Sequence, residues 1–169
     1  MLVTCAGRNG NLALDTGPMP DGQIEPRQAE RFREIGAWLK KYGQSIYATR
    51  GGPFSGLDCE CTRKDNTVYV HVLKWYDDKL RLPAISRKIV AHSLLTGGTA
   101  TVRQTADAIE ISVPAEHRQA LDTIVVLQLD GPASELKPGR IPSGSPTFRD
   151  RRPPCAGTES SDGSPVGSS

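Results

Sequence analysis

Thr67-Val68-Tyr69-Val70-His71-Val72-Leu73-Lys74 carries the signal that decides the fold. Val68, Val70 and Val72 fall on one face of an extended chain, and Tyr69, His71 and Leu73 on the other. The same period continues on both sides. Upstream, Leu57, Cys59 and Cys61 alternate with Asp58, Glu60 and Thr62, and Lys64-Asp65-Asn66 supplies the turn between the two runs. Downstream, Asp77-Asp78 turns the chain into Lys79 to Leu82, followed by runs at Ile89 to Leu95, Thr99 to Thr105, Ile109 to Val113 and Thr123 to Leu129. Gly97-Gly98 and Ala106-Asp107 separate three of these at hairpin spacing. Seven or eight short strands with no helical period between them predict an antiparallel β-sandwich.

The N-terminal part has a different pattern. Asn11-Leu12-Ala13-Leu14-Asp15, bounded by Asn9-Gly10 and Gly17-Pro18, reads as a short, fully buried strand. Gly17-Pro18-Met19-Pro20-Asp21-Gly22 is a turn in which Gly22 can take positive φ. Pro26 fits the first position of a helix, with Glu25 before it. Phe32, Ile35, Leu39 and Tyr42 form its apolar stripe, and Gly43 stands where a C-cap is expected. One strand and one helix cannot bury both faces alone, so this unit belongs to something larger.

The chain of 169 residues contains 17 Gly and 13 Pro, an excess concentrated after Leu129-Asp130-Gly131. The C-terminal stretch, rich in Gly, Pro and Ser, offers too little apolar surface to offset backbone ordering at about 1–2 kcal/mol per residue, and reads as a disordered tail. Within it, Arg149-Asp150-Arg151-Arg152-Pro153-Pro154 is a solvated basic run or a basic recognition motif. The abrupt change of composition also fits an out-of-frame read. A net charge of +2 gives no electrostatic footprint for nucleic acid or an anionic membrane. No apolar run approaches the roughly 20 residues of a membrane span, and Met1-Leu2-Val3-Thr4-Cys5 lacks the features of a signal peptide.

Candidate chemistry is sparse. His71, His92 and His117 show no metal-ligand spacing, and no metal or cofactor is expected. Cys59-x-Cys61 is not a C-x₂-C site; two cysteines two apart in a strand read as small buried hydrophobes rather than a disulfide, and Cys5 and Cys155 complete the four. Ser45, Ser55 and Ser86 lack a nucleophile-elbow context, and Gly51-Gly52-Pro53 and Gly97-Gly98 lack the setting of a phosphate loop. Among the carboxylates Asp15, Asp21, Asp58 and Glu60, only Asp15 ends an expected buried strand; the others read as turn or solvent-face residues. No catalytic residue is assigned.

The residues from Asn9 to Ile24 and from Glu34 to Arg50 resemble α-L-fucosidases of glycoside hydrolase family 29. There, a "GNLLLN-GP-DG-I" stretch forms the last barrel strand and its loop, and a "REIG-WL---GE-IY-TR" stretch the last barrel helix. Asp122 to Asp130 resembles the close of the C-terminal sandwich, so the match covers about residues 1 to 132. Asp15 stands where that family usually has Asn, and Gln44 where it often has Glu. The resemblance implies a mainly β chain: residues 1–50 as the last βα unit of an incomplete (β/α)8 barrel, residues 51–132 as the sandwich, and residues 133–169 as the tail. It implies retaining hydrolysis of α-L-fucosides in the intact enzyme, by two carboxyl groups about 5–5.5 Å apart. It places those groups before Met1, so the isolated chain is expected to be inactive, with no catalytic residue carried over and no substrate-binding residue identified. The implied partners are fucosylated glycans and the missing N-terminal barrel portion, with no nucleic acid or membrane. Family members are often secreted, periplasmic or lysosomal, which leaves the location of this chain unknown. Trp38 reads as helix packing, and Trp75 is the better candidate for stacking on a sugar. The other readings are a non-catalytic carbohydrate-binding or interaction module made by the sandwich, and a non-functional gene fragment.

Overall fold

A computed structural model describes residues 1–56 and 58–141. Nine strands form two sheets: β1 (Arg50–Ser55), β2 (Cys59–Lys64), β3 (Thr67–Val72), β4 (Lys79–Pro83), β5 (Ile89–Leu94), β6 (Thr101–Gln104), β7 (Ala108–Ser112), β8 (Thr123–Leu129) and β9 (Gly139–Arg140). The six-stranded sheet runs β5-β8-β3-β2-β1-β9 and the three-stranded sheet β4-β7-β6. Every pairing is antiparallel except β1 with β9.

The valine alternation does what its period requires. Val68, Val70 and Val72 are buried between the sheets with Cys59, Cys61, Val125, Leu127 and Leu129, opposite Leu80, Leu82, Ile109 and Ile111 of the small sheet. Full burial of each large aliphatic side chain is worth about 1.5–3 kcal/mol. The expected strands and the mainly β fold are therefore present; Leu57, expected at the start of one strand, lies outside the described residues.

Four expectations change. Gly97-Gly98 does not close a hairpin. With φ of +90° and +93° it carries the chain out of the large sheet at β5 and into the small sheet at β6. Asn11–Asp15 forms no strand and Asn11, Ala13, Leu14 and Asp15 are exposed, because among the described residues no strand lies beside it to take its backbone hydrogen bonds. Instead an isolated bridge, Pro18 to Ile24, closes the turn in which Gly22 takes φ +80°. The boundary at residue 132 also moves. Ala133, Leu136 and Ile141 are buried in the core, and β9 pairs with Phe54 and Ser55, so order extends through Ile141. The remainder of the expected tail, with Cys155 and the basic run, lies outside the described residues. Finally, Gly51-Gly52-Pro53, where no strand is expected, forms half of β1.

Two helices precede the sandwich. α1 (Leu2–Gly7) lies against β1 and β2. α2 (Pro26–Tyr42) starts as expected: Pro26 is at its first position, and the Glu25 side chain accepts a 3.0 Å bond from the Gln28 N–H. None of its residues is fully buried, and Phe32 is 37% exposed. Gly43 is its C-cap as expected, its N–H donating to the Leu39 carbonyl, but at φ −58° rather than in the left-handed region, and the chain continues as a 3-10 turn over Gly43–Ser45.

β1 is bulged between Gly51 and Ser55, and Cys61 fills the bulge. The Phe54 N–H donates to Cys61 Sγ at 3.0 Å, and the thiol lies 3.0 Å from the Phe54 carbonyl that it can donate to. A Cβ on Gly52 would lie 2.3 Å from that sulfur. Gly52→Ala is expected to cost about 1–3 kcal/mol by overpacking, read as a lower urea midpoint. Adding Cys61→Ala should restore part of the loss, as double-mutant coupling between touching side chains requires.

Candidate functional site at the outer face of the large sheet

The face of the large sheet turned away from the small one is polar in sequence and buried in the structure. Thr123 at the start of β8 is buried on the inner face, paired with Val72, whereas Glu60 and Thr62 on β2, His71 on β3 and Asp122 are shielded from solvent on the outer side. The N-terminal segment covers them. Glu60, expected on a solvent face, is the clearest correction: its side chain is 1% exposed. Arg8, directly after α1, reaches it with Nη2 at 2.6 Å and Nε at 2.8 Å from Oε1. Burial pushes the Glu60 carboxyl up from its ordinary range, and the Arg8 guanidinium opposes that rise.

His71 stands directly across the strand ladder from Glu60. Its Nδ1 is 2.7 Å from Asp122 Oδ2, with both side chains buried. Trp38 of α2 packs over the imidazole, with ring centroids 6.5 Å apart, and makes an edge contact with Tyr42. Thr62 donates its hydroxyl to the Ser45 carbonyl, and Ser45 in turn donates to the Tyr42 carbonyl at 2.7 Å. Asn9 Oδ1 accepts the Gly51 N–H at 2.7 Å. Four links therefore join the N-terminal segment to one sheet face: Arg8 to Glu60, Asn9 to Gly51, Ser45 to Thr62, and Trp38 to His71.

A buried carboxyl and a His–Asp pair are the materials of acid–base chemistry, but their placement here serves attachment. Glu60 is engaged by a guanidinium, and His71 by a carboxylate and an indole. Glu60 Oε2, His71 Nε2 and Asp122 Oδ1 are buried without a protein hydrogen-bond partner among the described residues. Such groups are costly to bury and define a polar seam rather than an open active site.

The other sequence candidates are scattered. Asp15 is exposed, Asp21 accepts the Gln23 N–H within its turn, and Asp58 accepts the Tyr76 hydroxyl. His92 lies 3.1 Å from the Ala100 carbonyl, and His117 receives the Thr99 N–H at 3.2 Å. Among the described residues, no three of His, Cys, Asp and Glu converge to hold a metal. Cys59 and Cys61 are free and buried, and desolvation raises both thiols. Trp75 is half-buried, with the Arg118 guanidinium 4.5 Å over its ring and its Nε1 donating to Thr123 Oγ1 at 3.3 Å, so one ring face is already occupied. The alternation that reveals β2 does not reveal Arg8, 52 residues away, as the cover for Glu60.

Arg8→Met is expected to destabilise the chain by about 1–3 kcal/mol at neutral pH by leaving a buried carboxylate without its charged donor. The sign with pH follows from Glu60. Its folded carboxyl titrates above the unfolded one, so its contribution favours folding below the ordinary carboxyl range and is lost as pH rises through the raised value. Urea midpoints measured against pH should converge for wild type and Arg8→Met at the acid end and separate toward neutrality. A constant difference across that range would exclude the ionised pair as the cause.

Comparison with known proteins matches both parts of the chain. A family model described as alpha-L-fucosidase matches residues 1–44. An α-L-fucosidase of Branchiostoma floridae is 39% identical over 77 residues, 43% of this chain and 16% of that protein. Tissue α-L-fucosidase of Mus musculus is 29% identical over 121 residues, 67% of this chain and 27% of that protein. The α-fucosidase of Thermotoga maritima aligns in structure over 74% of this chain and 32% of its own, with TM-score 0.61 and 28% identity. An α-L-fucosidase of family 29 from Bacteroides thetaiotaomicron, trapped as a covalent intermediate, aligns over 76% of this chain and 31% of its own, with TM-score 0.67 and 27% identity. The chain thus spans between 16% and 27% of the length of these curated relatives. The resemblance to the C-terminal portion of α-L-fucosidases is borne out.

Proposed function

We propose that this chain, a relative of the C-terminal portion of α-L-fucosidases, is the end of the catalytic barrel and the sandwich of such an enzyme. Its domains are then the closing βα unit over residues 1–50 and a sandwich that begins after it and runs through Ile141. The intact enzyme hydrolyses α-L-fucosides of fucosylated glycans with retention, using a nucleophile and an acid/base about 5–5.5 Å apart. The observation that carries this reading is the extent of the structural likeness. The Bacteroides enzyme aligns over 76% of this chain, whereas Arg50 to Ile141 makes up little more than half of it. The likeness therefore takes in part of the N-terminal segment as well as the sandwich.

In this reading the sandwich is a platform, and the seam from Arg8 to Trp38 fixes the barrel's closing elements to it. The exposed side chains of Leu14, Ile24 and Phe32 belong against the rest of the barrel, the structural partner of this chain. The chain alone is inactive: its buried carboxylates, Glu60 and Asp122, are committed to Arg8 and His71.

Two measurements test this. The purified 169-residue chain should give no hydrolysis of an aryl α-L-fucoside above buffer, and turnover would refute its inactivity. The genomic sequence upstream of Met1 should encode the earlier barrel strands in frame, and the protein expressed from that longer frame should release fucose with retained anomeric configuration. A locus with no barrel-coding sequence, or a longer protein without fucosidase activity, would refute the assignment.

A further inference from the structure

A second region of the sandwich carries an unbalanced charge. At the end of β1 and β2, a cavity of about 430 Å³ is lined by Arg50, Arg63, Lys64, Asp65, Asn66 and Ser134, among others. Arg50 and Arg63 are direct partners across the antiparallel ladder. Like charges so placed destabilise a sheet unless something between them is negative. Among the described residues neither arginine has a carboxylate within 4.0 Å, a condition they share with Arg81 and Arg103. Asp65 is the single carboxylate lining the cavity, against three cations. Arg63 is also held in place: its Nη1 donates to the Ala133 carbonyl at 2.7 Å, which fixes the guanidinium toward the segment that closes the core.

We propose that this cavity binds a saccharide carrying an oxyanion, a sulfate or phosphate ester. The two arginines, paired on one face of the ladder, offer planar, multidentate donors suited to oxyanions. The volume lies in the range of about 300–1,000 Å³ usual for small-molecule sites and exceeds what a bare oxyanion fills. Asn66 and Ser134, with uncharged donors and acceptors, suit the hydroxyls of a ring beside the ester. The cavity takes Ala48 and Arg50 from the end of the N-terminal segment and the rest of its lining from the sandwich and its turns, and its oxyanion chemistry makes no use of the fucosidase reading.

The test is calorimetric titration of the 169-residue chain at low ionic strength with galactose 6-sulfate, galactose 6-phosphate, galactose and inorganic sulfate. At least one ester should bind saturably and tenfold or more tighter than galactose or inorganic sulfate, the preferred ester identifying the class. Arg50→Gln, which leaves the Arg63–Ala133 bond in place, should weaken that binding fivefold or more. Thermal melts serve as the fold control. Arg50→Gln should melt no lower than wild type, since it relieves the Arg50–Arg63 opposition, and the ester should raise the melting temperature of wild type but not of the variant. Absence of binding, inorganic sulfate binding as tightly as the esters, or full affinity in Arg50→Gln would overturn the proposal.

Discussion

A carboxylate buried in a sheet face must be met by a cation or lose its charge, and in this molecule that requirement fixes the first residues of the chain. Glu60 has no exposed route to water, so Arg8 has to come to it. Bringing Arg8 there sets α1 across β1 and β2. Gly51 then lies close enough to receive Asn9, and little room remains for any side chain at that position: a Cβ on Gly51 would meet the Gly7 carbonyl at 2.4 Å. The N-terminal segment is therefore attached to the sandwich mainly by polar contacts with defined geometry, while the sandwich interior is held chiefly by apolar burial. The two halves of the large sheet obey different chemistries on its two sides.

That division explains what could be read from the residues and what could not. The strands from Cys59 to Leu129 announce themselves because valine, isoleucine and leucine alternate with polar residues, and a two-sheet core needs only that alternation. α2 is equally plain, since Pro26 and the stripe from Phe32 to Tyr42 are local signals. β1 is hidden because Gly-Gly-Pro contradicts strand propensity; its pairing depends on a sulfur from the neighbouring strand and an asparagine forty-two residues earlier. The extended segment at Asn11–Asp15 shows the converse. Its composition is that of a buried parallel strand, but a strand of that kind exists only between neighbours.

The polar seam was the least legible part. Glu60 and His71 occupy positions where a half-exposed sheet would place solvent-facing groups, and no feature of β2 or β3 indicates that a helix lies above them. Their burial is set by residues distant in sequence, Arg8, Trp38 and Asp122, whose contact with them is purely tertiary. Cys59 and Cys61 were more readable, because their neighbours lie in the same sandwich. Cys59 and Cys61 are buried as expected, whereas Trp75, expected as the better candidate for stacking on a sugar, is held by Arg118 and Thr123.

The parallel pairing of β9 with β1 has a kinetic consequence. Phe54 and Gly139 are partners across more than eighty intervening residues, and the strands between them must already stand in order for the edge of β1 to be presented. Loop closure over that distance carries an entropic cost that grows with the logarithm of its length, and non-local strand pairing slows folding. The hairpins of β2 with β3 and β6 with β7 can form early and locally, whereas Leu136 and Ile141 arrive last. During synthesis the core thus stays unsealed at one end until the chain beyond residue 141 has left the ribosome, and that open edge is where a nascent chain of this kind is most exposed to wrong pairing.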